Sequence, residues 1–271
     1  MGTALTFGAA TTDRVEWGTT PADADPFSVF AWVYPTTLTT SRGIFGSRSP
    51  SSAAASVRQL RLSGTGGNIE LRVSRATTAT SYISSNTPLA TLNKWYCVLA
   101  TFDSTASPTG KLYVGDLVTA MAEVTYGTST AGSGAVTAEA SQAHTWGNRF
   151  NSTPYAHAFQ GSIACGQYHN RVLSLGEGLN LQWHPRMIAG VTAFHLLGRN
   201  GTGTQPDLSG NARNGTVTGA TASNGPPLGW PFFRSAAEAS SVIAAAPAGV
   251  TYPQLERYLR GLNRGLAMGS H

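Results

Sequence analysis

The sequence is poor in charge. Only 11% of its 271 residues are Asp, Glu, Lys or Arg, whereas about a quarter of an ordinary soluble protein is charged. Lysine is almost absent, because Lys94 and Lys111 are the two lysines among 18 basic residues and the others are arginine. The basic residues are scattered, with no Lys/Arg run and no basic segment interleaved with aromatics. The net charge of +5 therefore does not indicate nucleic-acid binding.

Cysteine is equally scarce. Cys97 and Cys165 each lie in an apolar, strand-like segment, and two cysteines do not make a disulfide framework. We expect two buried, reduced thiols that act as small hydrophobic residues. No metal-ligand spacing surrounds either of them, so no metal site is predicted there.

Long hydrophobic runs are also missing. No apolar segment reaches the length that crosses a membrane, and residues 1–7 lack the basic and apolar regions of a signal peptide. We therefore expect a protein that is made in a cytoplasm, does not contact a membrane and is not exported by a classical signal.

Short apolar or alternating segments, separated by Gly, Pro, Asn and Ser, recur up to about residue 234. The clearest are 27–34, the hairpin 60–73, 94–102 and 161–168, whereas 173–183 has helical spacing for a short helix at most. Many short strands without helical periodicity predict one all-β sandwich over residues 1–234. The residues predicted to be largely buried are Phe30, Trp32, Trp95, Leu99, Tyr113 and Ile163.

Residues 207–217 combine Asp, Ser-Gly-Asn and Asn-Gly with a following Thr-Val. The first group is typical of a compact turn and the second begins a strand. We expect this segment to return beside the N-terminal strand and to close the edge of the sheet.

The tail has a different composition. Residues 235–250 are rich in Ala and Ser and are predicted to be a linker, and 251–271 are predicted to be a helical tail with Thr251 as N-cap. Its apolar stripe is formed by Leu255, Tyr258, Leu259 and Leu262. A helix this short is marginal alone in water, so the stripe is expected to dock on a neighbouring subunit or a capsid protein. The alternative is that the helix folds back on its own sandwich.

Several motifs occur in the order found in the laminin-G-like, concanavalin-A-like jelly-roll family, which the chain resembles. They lie at residues 4–7, 13–17, 27–35, 94–103, 111–116, 159–164 and 169–174. The resemblance is strongest to the single-domain bacteriophage members and implies a jelly-roll β-sandwich. It further implies a non-enzymatic, virion-associated structural protein, a capsid decoration or cement subunit or one linked to an appendage. Such a protein would be located in the virion and contact capsid proteins or copies of itself. The alternative is a carbohydrate-binding, lectin-like module for host or surface glycans.

Catalysis has little support in the sequence. Retaining glycosidases need two carboxylates about 5–5.5 Å apart, and the one close acidic pair, Asp23 and Asp25, lies in a loop flanked by prolines that is typical of a solvated turn. No cofactor and no metal are predicted. The alternative is a structural calcium, because Asp103, Asp116 and Asn148 follow predicted strands, where relatives sometimes hold calcium.

One loop contains the mixture of side chains that sugar sites use, namely aromatics for sugar faces and polar groups for hydroxyls. The candidate glycan-binding residues are Trp146, Asn148, Arg149, Tyr155 and His157. The alternative is a long connection whose aromatics pack on the core. In the hairpin, alternation places Arg61 and Arg72 on one outward face, which predicts either a cationic patch for an acidic partner or an ordinary solvated sheet face.

Overall fold

Strands dominate the chain because its apolar residues alternate or run continuously over five to nine positions between turn residues. The computed structural model describes residues 2–8, 10, 12–19, 25–38, 41–48, 56–64, 66–137, 143–149 and 157–228. Within these ranges the chain forms sixteen strands and one helix of nine residues. That helix is too short to cross a membrane, and the described ranges contain no other.

The first sheet has the antiparallel strand order β10-β9-β8-β3-β13-β1-β16, and β14 pairs with the C-terminal half of β13. Its strands are β1 (Thr3–Phe7), β3 (Phe27–Pro35), β8 (Tyr96–Phe102), β9 (Gly110–Asp116), β10 (Ala122–Glu123), β13 (Gly161–His169), β14 (Val191–His195) and β16 (Thr221–Asn224). Every residue of β8 and β13 is buried, and these strands flank β3 in the middle of the first sheet.

The second sheet has the order β11-β7-β6-β5-β4-β12-β2-β15. Its strands are β2 (Arg14–Thr19), β4 (Arg42–Arg48), β5 (Ser56–Ser63), β6 (Asn68–Val73), β7 (Thr80–Ser84), β11 (Tyr126–Thr130), β12 (Ala143–Trp146) and β15 (Gly215–Thr218). The two sheets pack face to face as the predicted jelly-roll sandwich, which confirms the predicted fold class.

The core between the sheets is rich in aromatic residues. Trp17 and Phe45 of the second sheet meet Tyr168 of the first, with the ring centroids of Phe45 and Tyr168 5.6 Å apart. Trp146 packs against both Trp17 and Phe45. The six residues predicted to be largely buried are confirmed as such, with relative exposures between 0% and 9%, and of these Ile163 belongs to the core cluster between the sheets. The six are Phe30, Trp32, Trp95, Leu99, Tyr113 and Ile163.

One hydrogen-bond chain crosses the core. Trp146 Nε1 donates to His195 Nδ1 at 3.2 Å, and His195 Nε2 lies 2.7 Å from the carbonyl oxygen of Arg213. A carbonyl only accepts, so the proton of His195 is on Nε2 and Nδ1 is the acceptor for Trp146. Burial lowers the pKa of His195 although the Arg213 carbonyl opposes this shift, and the neutral imidazole thereby links the two sheets.

The segment at 207–217 behaves as predicted. The Asp207 carboxylate accepts the backbone N–H groups of Phe194, Ser209 and Arg213 and so forms the compact turn. After this turn β15 pairs with β2 and β16 pairs with β1. Two consecutive strands therefore close one edge of each sheet.

The helix α1 (Leu175–Trp183) confirms the prediction of a short helix after residue 173. It begins with a capping box in which Ser174 Oγ accepts the N–H of Glu177, and Arg171 pairs with Glu177 at 2.6 Å. Cys97 and Cys165 are buried and free, as expected.

The predicted linker at 235–250 and the tail at 251–271 lie outside the described residues. So does the stripe of the predicted docking residues Leu255, Tyr258, Leu259 and Leu262. Docking of the tail on a partner therefore stays a prediction.

The buried histidines predict a loss of stability in mild acid. Burial, with a smaller effect of Arg171, lowers the pKa of His169 to about 4, against about 6.5 in an unfolded chain. Below pH 6.5 the unfolded state takes up a proton that the folded state refuses, so the free energy of unfolding falls by roughly 3 kcal/mol between pH 6.5 and 4 from this residue alone.

Denaturant unfolding measured from pH 7 to 4 checks this expectation. His169→Gln should flatten the pH dependence of the unfolding free energy, whereas His184→Gln, at an exposed position after α1, controls for the loss of one histidine. Parallel pH profiles for the parent protein and His169→Gln would contradict the prediction.

Candidate ligand-binding face on the second sheet

Two rows of side chains lie on the face of the second sheet that points away from the core. Opposite residues of antiparallel strands share a face. In one row Gly46 of β4 pairs with Gln59 of β5, which pairs with Arg72 of β6. In the other row Gly43 pairs with Arg61, and Arg61 pairs with Glu70. The alternate residues Leu60, Leu62 and Leu71 point into the core.

A short segment after β12 lies on this outward face because β4 carries glycine there. A Cβ added at Gly43 would lie 2.5 Å from the carbonyl carbon of Asn148, and one added at Gly46 would lie 3.0 Å from Cα of Arg149. The chain reaches this position through Gly147, whose φ of +77° is unfavourable for other residues. The two glycines of β4 thus bring the backbone of Arg149 into contact with the sheet.

Asn148 fixes the segment in place. Its Nδ2 donates to the carbonyl oxygen of Asp13 at 3.0 Å, and its Oδ1 accepts the N–H groups of Arg149 at 2.8 Å and His157 at 3.2 Å. From the sheet below, Thr145 Oγ1 donates to the Asn148 carbonyl at 2.9 Å. One buried amide therefore holds the backbones of Arg149 and His157 next to each other.

Three arginines and one carboxylate, here called the arginine face, meet on these rows: Arg61, Arg72, Arg149 and Glu70. Glu70 forms an ion pair with Arg61, whose Nη2 and Nε lie 2.7 and 2.8 Å from Glu70 Oε2. Arg149 is 4% exposed, and its Nε has no hydrogen-bond partner among the described residues. Arg72 is exposed. Three positive charges thus face one negative charge.

The electrostatics of the face reflect this imbalance. Burial, together with the positive charges of Arg61 and Arg72, lowers the pKa of Arg149 to about 10, although Glu70 opposes the shift. Burial also lowers the pKa of His157, and the charges of Arg149, Arg42 and Arg61 add to that effect. The site disfavours additional positive charge and favours an anion.

The structure separates the five predicted glycan-binding residues. The prediction that Trp146 binds a glycan is wrong. Trp146 is fully buried and its indole packs against Phe45 in the core, so it cannot stack on a sugar. Asn148 is also fully buried, and its side-chain amide forms hydrogen bonds with backbone groups such as the N–H of Arg149. Arg149 and half-buried His157 lie together on the outward face, and Tyr155 lies outside the described residues.

The sequence predicts the glycan loop and the cationic hairpin as separate candidate sites. In the structure, Arg149 of the loop lies close enough to Arg61 and Arg72 of the hairpin for their charges to lower its pKa, so the two candidates share one face. Sequence reasoning missed Glu70. Its role could have been found by counting the register of the hairpin from the turn at 64–67, which places Glu70 opposite Arg61.

The carboxylates of the alternative calcium site make interactions within the protein. Lys94 Nζ lies 2.7 Å from Asp116 Oδ2, and Asp103 Oδ1 accepts the N–H and hydroxyl of Thr105. Burial alone would raise the pKa of Asp116, but its bonds to Lys94 and to the N–H groups of Thr119 and Val118 lower it to about 2. The described part of the chain contains no group of three or more His, Cys, Asp or Glu that could hold a metal.

Every carboxylate among the described residues accepts a hydrogen bond or pairs with a cation. Glu16 pairs with Arg14, Glu123 with Lys111, and Asp25 of the predicted solvated turn accepts the N–H of Ser104. The pKa lies below its ordinary value in Asp103, Asp116, Glu177 and Asp207. A general acid in glycoside hydrolysis requires the opposite shift.

Residues 9–177 match the model of the family Laminin_G_3, described as the concanavalin A-like lectin/glucanases superfamily. A comparison with curated proteins gives no match. Among solved structures, a protein from Bacteroides ovatus ATCC 8483, provisionally named a carbohydrate binding protein, is 16% identical with a TM-score of 0.53. The alignment covers 84% of this chain and 61% of that one.

More distant similarities have TM-scores below 0.5. The CBM40 of the Ruminococcus gnavus IT-sialidase is 13% identical, with a TM-score of 0.42 over 59% of this chain and 83% of that one. The heptameric SAP-like pentraxin of Limulus polyphemus is 11% identical, with a TM-score of 0.43 over 67% of this chain and 82% of that one. At these identities the likeness shows the fold alone.

The close approach over β4 predicts that an added methyl group at Gly43 is costly. In Gly43→Ala the new Cβ meets backbone atoms of Asn148 and Arg149 at 2.5 to 2.7 Å, so the segment must move off the sheet. We expect a loss of about 1–3 kcal/mol in the free energy of unfolding, typical of overpacking.

Gly18→Ala is the matched control in the same sheet, because a Cβ there meets Arg213 Cγ at an ordinary 3.6 Å. Denaturant unfolding of the two variants decides. Equal stabilities would show that the segment does not pack on Gly43 as described.

Proposed function

Because the chain belongs to the concanavalin A-like lectin/glucanases superfamily, we propose that it is a non-catalytic carbohydrate-binding module whose ligand binds on the arginine face. One observation carries the proposal: Arg72 and Arg149, on one face of a lectin-type sandwich, form no ion pair with a carboxylate of the described residues. Arginine presents five N–H donors in a fixed planar arrangement, and a small number of placed polar donors is what orients a sugar in a binding site.

The state of the carboxylates supports binding rather than hydrolysis. The carboxylate on the arginine face, Glu70, is 2% exposed and held by Arg61. A glycosidase would need a second carboxyl group beside it, and the register places Arg61, Arg72 and Ile83 at the positions around Glu70. Among the described residues, the face therefore offers donors for a ligand but no pair of carboxyl groups with which to cleave it.

The similarity to the Bacteroides ovatus protein supports the same proposal, since that protein carries a provisional carbohydrate-binding name. This chain spans 61% of that protein's length. The proposal therefore concerns the sandwich and not the activity of a longer architecture.

The virion assignment made from the resemblance remains a separate prediction, together with its capsid partners, its oligomers and its location. Neither the fold nor the comparisons bear on it. Co-sedimentation of the purified protein with phage particles tests it directly, and a protein that stays in the supernatant would contradict it.

A glycan array tests the proposed function. The purified full chain should bind a defined subset of glycans and release no reducing sugar from them during prolonged incubation. The expected affinity is in the range of weak lectins, and ligand should raise the melting temperature because it binds only the folded state. A blank array, or steady release of sugar from a bound glycan, would sink the proposal of a non-catalytic module.

A further inference from the structure

The arginine face has a charge that the described protein does not neutralise. Arg61 is balanced by Glu70, with both of its contacts made to the same carboxylate oxygen, and Ser81 Oγ lies 3.4 Å from the other oxygen. After this pair is accounted for, Arg72 and Arg149 remain as two positive charges. No other carboxylate among the described residues pairs with either of them.

The register places these two arginines at either end of one row. Arg149 lies on Gly46, Gln59 is the next residue along the row and Arg72 follows. Neighbouring strands are about 4.8 Å apart, so the attachment points of Arg149 and Arg72 are separated by about 10 Å. Arg72 lies close enough to Arg149 for its charge to lower the pKa of Arg149, and both side chains are long enough to approach one ligand between them.

Arg149 also lacks a partner that its burial demands. It is 4% exposed and its Nε has no hydrogen-bond partner among the described residues. A buried donor without a partner is costly, and a buried guanidinium is more so. An oxyanion supplies what this donor lacks, because it accepts two parallel N–H bonds from one guanidinium and adds the missing negative charge.

We infer that the arginine face binds an anionic substituent of a sugar, held between Arg149 and Arg72, and this inference rests on the proposed function. Carboxylate and sulfate groups share the chemistry that the two arginines recognise. The ligand class is therefore an acidic glycan, and the neutral part of the sugar contributes less to affinity than the charged group.

The experiment compares three sugars that share one core: lactose, a lactose carrying one sulfate, and sialyllactose, which carries a carboxylate. Titration calorimetry of the full chain should show at least ~10-fold tighter binding of one or both charged sugars than of lactose, the difference expected of a charge-assisted hydrogen bond. The ratio between the two charged sugars identifies the oxyanion.

Arg149→Gln and Arg72→Gln should each weaken binding of the charged sugar by ~10-fold or more, and by a larger factor than they weaken binding of lactose. Arg186→Gln, at an exposed position outside the face, removes the same charge and should change neither. Because Arg72 is exposed, its variant keeps the test valid if loss of buried Arg149 impairs folding, which circular dichroism reports.

Each contrary outcome has a distinct meaning. Equal binding of lactose and the charged sugars, or charged-sugar binding unaffected by Arg72→Gln, overturns the inference but not the proposed function. Absence of binding to any sugar overturns the proposed function and the inference with it. Binding of polyglutamate or single-stranded DNA as tightly as the charged sugar would show that the face recognises anions without regard to the sugar, and this also overturns the inference.

Discussion

The hydrogen bond from Trp146 to His195 joins the two sheets at the centre of the sandwich. Trp146 is the last residue of β12, and the hydrogen bond holds this end of the strand in the core. The other ring nitrogen of His195 donates to the Arg213 carbonyl oxygen just before β15. The same contact therefore fixes where the last strand of the second sheet begins and where the chain leaves β12. Gly147, with its left-handed φ, follows at once and turns the chain to the outer side.

The outer face depends on this inner contact. With Trp146 held in the core, the residues after the turn have a fixed height over the sheet, and glycines at positions 43 and 46 leave room for them. Asn148 then secures the segment through bonds to Asp13 and His157. The position of one arginine among the charges of β5 and β6 thus follows from packing on the opposite side of the sheet.

Local pattern was sufficient for much of the fold. Apolar runs and alternation identified the central strands and the hairpin that contains Arg61 but not β7, β10, β11 or β14. The turn residues at 207–217 identified the return to the N-terminal strands. The candidate site was harder because its parts are distant in sequence. Arg149 meets Arg61 only after β4 and β12 have paired, and no local spacing encodes that pairing.

The case of Trp146 shows how the sequence misleads. An aromatic among Asn, Arg and His has the composition of a sugar site, but alternation within β12 turns His144 and Trp146 inward and Thr145 outward. The same alternation, applied one residue at a time, would have assigned the indole to the core. Composition describes a surface only after the side of the strand is known.

The return of the chain through β15 and β16 has an architectural consequence. Asn224 pairs with Thr3, and the N–H of Gly225 donates to the carbonyl oxygen of Gly2 at 2.8 Å, so the chain enters and leaves the sandwich at one point. A domain whose two ends lie side by side is a self-contained unit. It can be inserted into a surface loop of another protein, or its ends can be joined and reopened elsewhere, without separating the strands on which its core depends.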